Sequence, residues 1–241
     1  VVDFFHWAIM GAWDFDPKCW PDPEGMIREL KELGIETMVS IWPTVNGNAP
    51  LFQEMLERGY LIRAENNHPV FMRFTDTYAD STYLHFVDFT NPDARAFVWE
   101  QAKKNYYERG VRLFWLDECE PETRPYDNHN QRYHLGNGGK VSSLYPLYEE
   151  KAFYEGMKEA GEELPINLCR SAWAGSQKYG ACVWSGDVFS DFPTLADQIK
   201  NGLNIAMTGI PWWTTDIGGF FGGDGSKPEF RELLVRWFQW G

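Results

Sequence analysis

A chain of 241 residues is long enough to bury one large core, and its formal net charge of −13 argues against a nucleic-acid partner, which requires basic patches. No run is long and apolar enough to cross a membrane, so no membrane partner is expected. Cys19, Cys119, Cys169 and Cys182 lack the CxxC spacing of redox and zinc sites and there is no N-x-S/T sequon, which leans weakly towards a reducing, cytoplasmic setting.

Along the chain, short apolar runs alternate with amphipathic segments, the pattern of βα units. Residues 1–5 read as a strand, and a chain that opens in mid-strand reads as a piece of something longer. A helix is expected over 23–33: Asp22 can cap it, Pro23 suits its first turn, and Met26, Ile27, Leu30 and Leu33 recur at helical spacing. Residues 36–42 give the next strand and 51–58 a short helix. The stretch 60–83 reads as irregular and too long for an ordinary βα connection, which marks it as an active-site insertion.

A third strand is expected to end near Asp88, followed by a helix over 93–109 that Gly110 stops, and by a fourth strand over 111–116. A long loop covers 121–141, a helix 144–160, and a fifth strand 166–169. The sixth strand is placed at 181–184, part of a helix at 195–201, the seventh strand at 204–208 and a final helix at 230–240. The expected fold is therefore α/β, a TIM-type (β/α)8 barrel with about seven of its strands present, in one domain spanning 1–241.

Reactive groups of such barrels gather at the carboxyl ends of the strands. Asp3, Asp88, Asp117, Asp187 and Asp216 all stand at such ends. Each could equally cap a helix or anchor a loop. The chain's 12 tryptophans serve mostly in packing, but Trp42, Trp115, Trp184, Trp212 and Trp213 fall on the same rim as the acids. Paired carboxylates bordered by aromatic rings point to glycoside chemistry. His6, His68, His85, His129 and His134 show no H-E-x-x-H spacing, no G-x-G-x-x-G follows a strand, and neither a metal nor another cofactor is expected. His6 is expected to be a satisfied structural histidine, and Gly222-Gly223-Asp224-Gly225 a flexible turn.

Phe114-Trp115-Leu116-Asp117-Glu118-Cys119-Glu120 resembles the W-x-D-x-x-E nucleophile motif of glycoside hydrolase family 31. Arg170-Ser171-Ala172, Gln177-Lys178-Tyr179-Gly180 and Trp184-Ser185-Gly186-Asp187 look like its acid/base region. Gly209-Ile210-Pro211 with Thr215-Asp216-Ile217-Gly218-Gly219-Phe220 resembles its seventh-strand signature, and Phe15-Asp16 with Pro21-Asp22-Pro23-Glu24-Gly25-Met26 the entry to its first barrel helix. These motifs stand in the family's order over nearly the whole chain. The family's amino-terminal β-sandwich and its H-G motif near an eighth strand have no counterpart in these residues.

The resemblance implies an exo-acting retaining α-glycosidase on α-linked oligosaccharides, with Asp117 as nucleophile and Asp187 as general acid/base. It implies that Asp3 and Arg170 bind sugar hydroxyls, that Trp42, Trp115, Trp184 and Trp213 line the pocket, that Asp216 contacts sugar or orders its loop, and that Glu120 supports the site. Within the family an α-xylosidase is favoured over an α-glucosidase or transglycosidase, because the bulky Phe4 and Phe5 after Asp3 could fill the room of a hexose C6 hydroxymethyl. An α-glucan lyase and a non-catalytic carbohydrate-binding barrel are the readings from other classes.

Overall fold

The computed structural model describes residues 1–123 and 127–241; part of the expected loop at 121–141, residues 124–126, lies outside the described residues. Helix α1 (Pro23–Glu32) starts where Asp22 accepts a hydrogen bond from the Gly25 amide at 2.9 Å and Pro23 fills the first turn. Strands β1 (Met38–Ile41) and β2 (Thr44–Asn46) follow, then α2 (Phe52–Glu57) and strands β3 (Arg63–Ala64), β4 (Phe71–Asp76) and β5 (Ala79–Phe86). Helix α3 (Pro92–Ala102), capped by Asn91, runs on into a π-helical turn at Lys103–Tyr107 and leads to β6 (Leu113–Leu116). Short strands β7 (Gln131–Tyr133) and β8 (Gly136–Asn137) and the one-turn α4 (Gly138–Val141) precede α5 (Tyr145–Glu159). The chain then alternates β9 (Asn167–Cys169), β10 (Ala181–Trp184), α6 (Phe192–Met207), β11 (Trp213–Thr214) and α7 (Pro228–Trp240).

Strands β1, β6, β9, β10 and β11 form one parallel sheet in that order, with helices packed along it, the arrangement of an incomplete (β/α) barrel. Its apolar residues are nearly continuous, as expected for a parallel sheet covered on both faces: Val39, Ile41, Phe114, Leu116 and Cys169 are fully buried. Phe114 is gripped by Trp99 of α3 and Phe153 of α5, at ring distances of 6.1 and 5.1 Å. Gly156 lets α5 come this close, because a Cβ there would lie 2.3 Å from the Trp99 ring. Leu195, Leu233 and Trp237 make a second, small core between α6 and α7.

Three expectations about strands need correction. Residues 1–5 contribute only a bridge, Val2 to Val39, because the Phe4 amide turns back to Asp3 Oδ1 and Phe5 takes a left-handed φ of 65°. The expected third strand, ending near Asp88, is β5; it pairs antiparallel with β2 and β4 outside the parallel sheet, so Ser40 of β1 lies directly opposite Trp115 of β6. The seventh strand is not at 204–208, where α6 is still helical, but at Trp213–Thr214. Asp191 caps α6, and the helix runs unbroken until Thr208 and Gly209, with φ of 82°, release it. Among the described residues, five strands and one bridge stand where about seven were expected.

The stretch 60–83, expected to be irregular, holds β3, β4 and the start of β5, with a register shift between Phe74 and Asp76. Only Met72, Leu84 and Phe86 of the β4–β5 ribbon face the core as buried apolar residues; Arg73, Asp80, Ser81 and Thr82 hide its period of two.

Candidate active site

Two strand ends and one loop build the centre of the site. Asp117 follows β6, and its amide continues the ladder by donating to the Ile41 carbonyl at 3.0 Å. Arg170 follows β9 and does the same towards Leu116 at 3.1 Å. The sheet thus fixes both backbones before their side chains meet. Asp117 Oδ2 accepts from Trp42 Nε1 at 3.1 Å, Oδ1 accepts from the Glu118 amide at 3.0 Å, and Arg170 Nη1 stands 3.4 Å from Oδ1. Asp117 is 8% exposed, and burial pushes its carboxyl up to about 6 against the opposing pull of Arg170 and the Glu118 amide.

Arg170 faces a crowd of acids. Its Nη1 lies 2.7 Å from Glu118 Oε1, its Nε and Nη2 reach Glu120 Oε2 at 2.9 and 2.7 Å, and Nη2 is 3.5 Å from Glu122. Burial works against its charge, but these carboxylates outweigh burial and hold the guanidinium protonated. Glu118 is buried, and burial raises its carboxyl to about 7 although Arg170 opposes the shift. Behind them, Glu149 of α5 is fully buried with both carboxyl oxygens unpartnered among the described residues; desolvation first, then Glu120, Glu150 and Asp117, hold it well above the ordinary carboxylate range.

Asp187 lies beyond β10 on an exposed turn at Gly186, whose φ is 74°. The loop carrying it is tied to the loop after β11 by the Ser185 hydroxyl, which donates to Thr215 Oγ1 at 2.9 Å. The charge of Asp187 reaches Asp3, Asp117 and Asp216; in each of these desolvation is the largest cause of a raised carboxyl, with Asp187 adding to it. Four acids, one beside the Val2 bridge and three beyond strands β6, β10 and β11, therefore share one field.

The expected aromatic residues divide into two groups. Trp42 is 4% exposed, stacked under Phe4 at 5.3 Å and 20° and flanked by Phe74 at 5.3 Å, so it presents its N–H to Asp117 rather than an open face. Trp115 and Trp184 meet edge to face at 5.7 Å. Trp213 pairs in register with Val183, and its six-membered ring packs on α6, 2.7 Å from where a Cβ on Gly202 would stand. It lines a cavity together with Arg170, Trp184, Ser185, Ile205 and Ile210, while the next residue, Thr214, pairs with Trp184. Trp212 is half-exposed.

His6 is a structural histidine: its ring bonds the Asp3 carbonyl at 2.7 Å and the Tyr106 hydroxyl at 2.8 Å. Burial lowers its pKa to about 4. Asp88 is a loop anchor that accepts from Thr90 and from the His134 amide. Glu118 and Glu149 escaped the sequence reading. The signal for the first was present, as Asp117-Glu118-Cys119-Glu120-Pro121-Glu122 puts four acids in six residues where at least one needs a cation.

The model of the glycosyl hydrolases family 31 TIM-barrel domain matches residues 1–241. The chain belongs to this family. Among its relatives, an uncharacterized family 31 glucosidase of Pseudescherichia vulneris is 50% identical over 240 residues, which are 100% of this chain and 44% of that protein. The α-xylosidase of Saccharolobus solfataricus is 36% identical over 249 residues, with 100% of this chain and 31% of that protein covered. The crystal structure of a family 31 α-xylosidase from a soil metagenome, complexed with xylose, superposes with a TM-score of 0.92 at 56% identity, over 99% of this chain and 34% of that one. The chain spans less than half the length of the curated relatives it matches.

Proposed function

We propose that this family 31 barrel carries the catalytic centre of an exo-acting retaining α-glycosidase, most specifically an α-xylosidase. The observation that carries the reading is Asp117 itself, a buried carboxylate fixed by a tryptophan N–H and its neighbour's amide, with an arginine at 3.4 Å and a second, exposed carboxylate within its field. In a double displacement, Asp117 attacks the anomeric carbon while Asp187 protonates the departing oxygen. Asp187 then takes the proton of the water that hydrolyses the glycosyl-enzyme, and two inversions retain the α configuration. The exposure of Asp187 suits the second step, in which water must reach it. Asp3 and Asp216, both sharing the field of Asp187, are assigned to sugar hydroxyls, as is Arg170; Trp115 and Trp184 are assigned to the pocket wall.

Preference for a xyloside rests on Phe4. Its ring covers the Trp42 indole, one hydrogen bond from Asp117, so an apolar wall stands near the proposed nucleophile, and this wall is assigned the room that a hexose hydroxymethyl group would need. Similarity to α-xylosidases supports the same choice. The test is steady-state kinetics of the intact protein on 4-nitrophenyl α-xyloside and α-glucoside, with product analysis. The expected outcome is free xylose of retained configuration and a higher kcat/KM on the xyloside. A glucoside preference would assign the site to an α-glucosidase, an anhydro sugar product to a lyase, and full activity of Asp117→Ala would remove the catalytic assignment.

A further inference from the structure

Asp117 and Glu118 are consecutive acids aimed at one nitrogen. Side chains of successive residues ordinarily point apart, and what brings these two together is the backbone of Glu118, whose φ of 58° lies in the left-handed region that residues with a side chain seldom occupy. That turn carries the Glu118 amide onto Asp117 Oδ1 and the Glu118 carboxylate onto Arg170.

The distances rank the two acids. Arg170 Nη1 lies 2.7 Å from Glu118 Oε1, the length of a charge-assisted hydrogen bond, and 3.4 Å from Asp117 Oδ1, which is beyond it. The other donors on this side are taken, since Nε and Nη2 both serve Glu120 Oε2. Glu118 is 7% exposed, and its second oxygen is buried without a partner among the described residues, an expensive arrangement for a side chain whose only role is to neutralise a guanidinium that Glu120 already pairs.

We propose that Glu118 is a positioning residue that holds the Arg170 guanidinium off Asp117. An Arg170 whose Nη1 were released from Glu118 could close the 3.4 Å gap and give Asp117 Oδ1 a charge-assisted hydrogen bond, drawing on the carboxylate's charge and leaving a weaker nucleophile. With Nη1 engaged by Glu118, Asp117 keeps an indole N–H and a backbone amide as its close donors and retains its basicity. The charged and titratable groups facing the pair are Arg170 beyond β9, Glu120 and Glu122 along the same loop, Glu149 from α5 and Asp187 beyond β10. The inference rests on Asp117 being the nucleophile.

Two variants of the intact protein separate the positioning role from a structural one. In Glu118→Asn the left-handed backbone is retained, since asparagine tolerates it better than most residues, but the side chain is one methylene too short to engage Nη1. Glu118→Gln keeps both length and acceptor. The measurement is the pH profile of kcat/KM, whose acid limb reports the free enzyme's essential base. Glu118→Asn is expected to move the acid limb down by about half a pH unit or more and to lower kcat about tenfold with little change in KM, as a nucleophile paired too tightly would. Glu118→Gln is expected to recover the larger part of both. An acid limb that stays or rises in Glu118→Asn, or a Glu118→Gln no better than Glu118→Asn, overturns the proposal. Should Glu118→Asn fail to fold, the comparison passes to Glu118→Gln and Glu118→Ala with the same criteria. Asp117→Ala, run alongside, tells the two ideas apart: its inactivity with an unmoved Glu118→Asn profile rejects the positioning role and leaves the nucleophile standing.

Discussion

At Asp117, burial and pairing oppose each other, and burial wins. A carboxyl raised from 3.8 to about 6 binds its proton more tightly in the folded chain than in the unfolded one. The sign follows directly: the folded state is favoured while both states are protonated, and this contribution is lost as pH rises from about 4 through about 6, then stays constant. Asp117→Asn removes the titration while filling the same space. It is therefore expected to unfold at higher urea concentration than the parent at pH 8, by up to about 3 kcal/mol, with the difference closing as pH falls towards 4. Urea titrations at several pH values check it, and a gap that widened towards low pH would contradict the assignment of the shift to burial.

One level up, the element that matters most to Asp117 does not touch it. Helix α5 presses Phe153 on Phe114 of β6, and it approaches closely enough only because residue 156 is glycine. Gly156→Ala would put a methyl group into the Trp99 ring and push α5 off α3, disturbing the pair of rings that grips Phe114. A loss of about 1–3 kcal/mol is expected from such overpacking, measured as a lower urea midpoint. Elements of this kind were legible where local chemistry announced them. Asp22-Pro23, Asn91-Pro92 and the glycines after helices mark their own boundaries, and β6, β9 and β10 read as apolar runs because both faces are covered. The rest depended on contacts distant in sequence. β5 leaves the parallel sheet to pair with β2 and β4, and Ile205-Ala206-Met207 looks strand-like until the capped helix that contains it is seen whole. In the site, the ordered motifs singled out Asp117, Asp187 and Arg170, whereas the packing of Trp213 on α6 and the left-handed turn at Glu118 are properties of register and backbone that no residue type declares.

Across the whole molecule, Asp117 and Asp187 stand on unequal foundations. Asp117 rises from the large core that spans α3, α5 and the sheet, while the segment after Asp187 leads into α6 and α7, whose own core is Leu195, Leu233 and Trp237. Met207 and Phe238 of these helices are 88% and 71% exposed. Amide hydrogen exchange should resolve this as two rates: slow exchange through β1, β6 and α5, and faster exchange through α6 and α7, as units of different opening energy behave. Uniform protection across both would refute the division. If the division holds, Asp187 stands at the seam, carried by a strand of the large core and followed by the segment that breathes more often, so its distance from Asp117 is set by how often that segment opens.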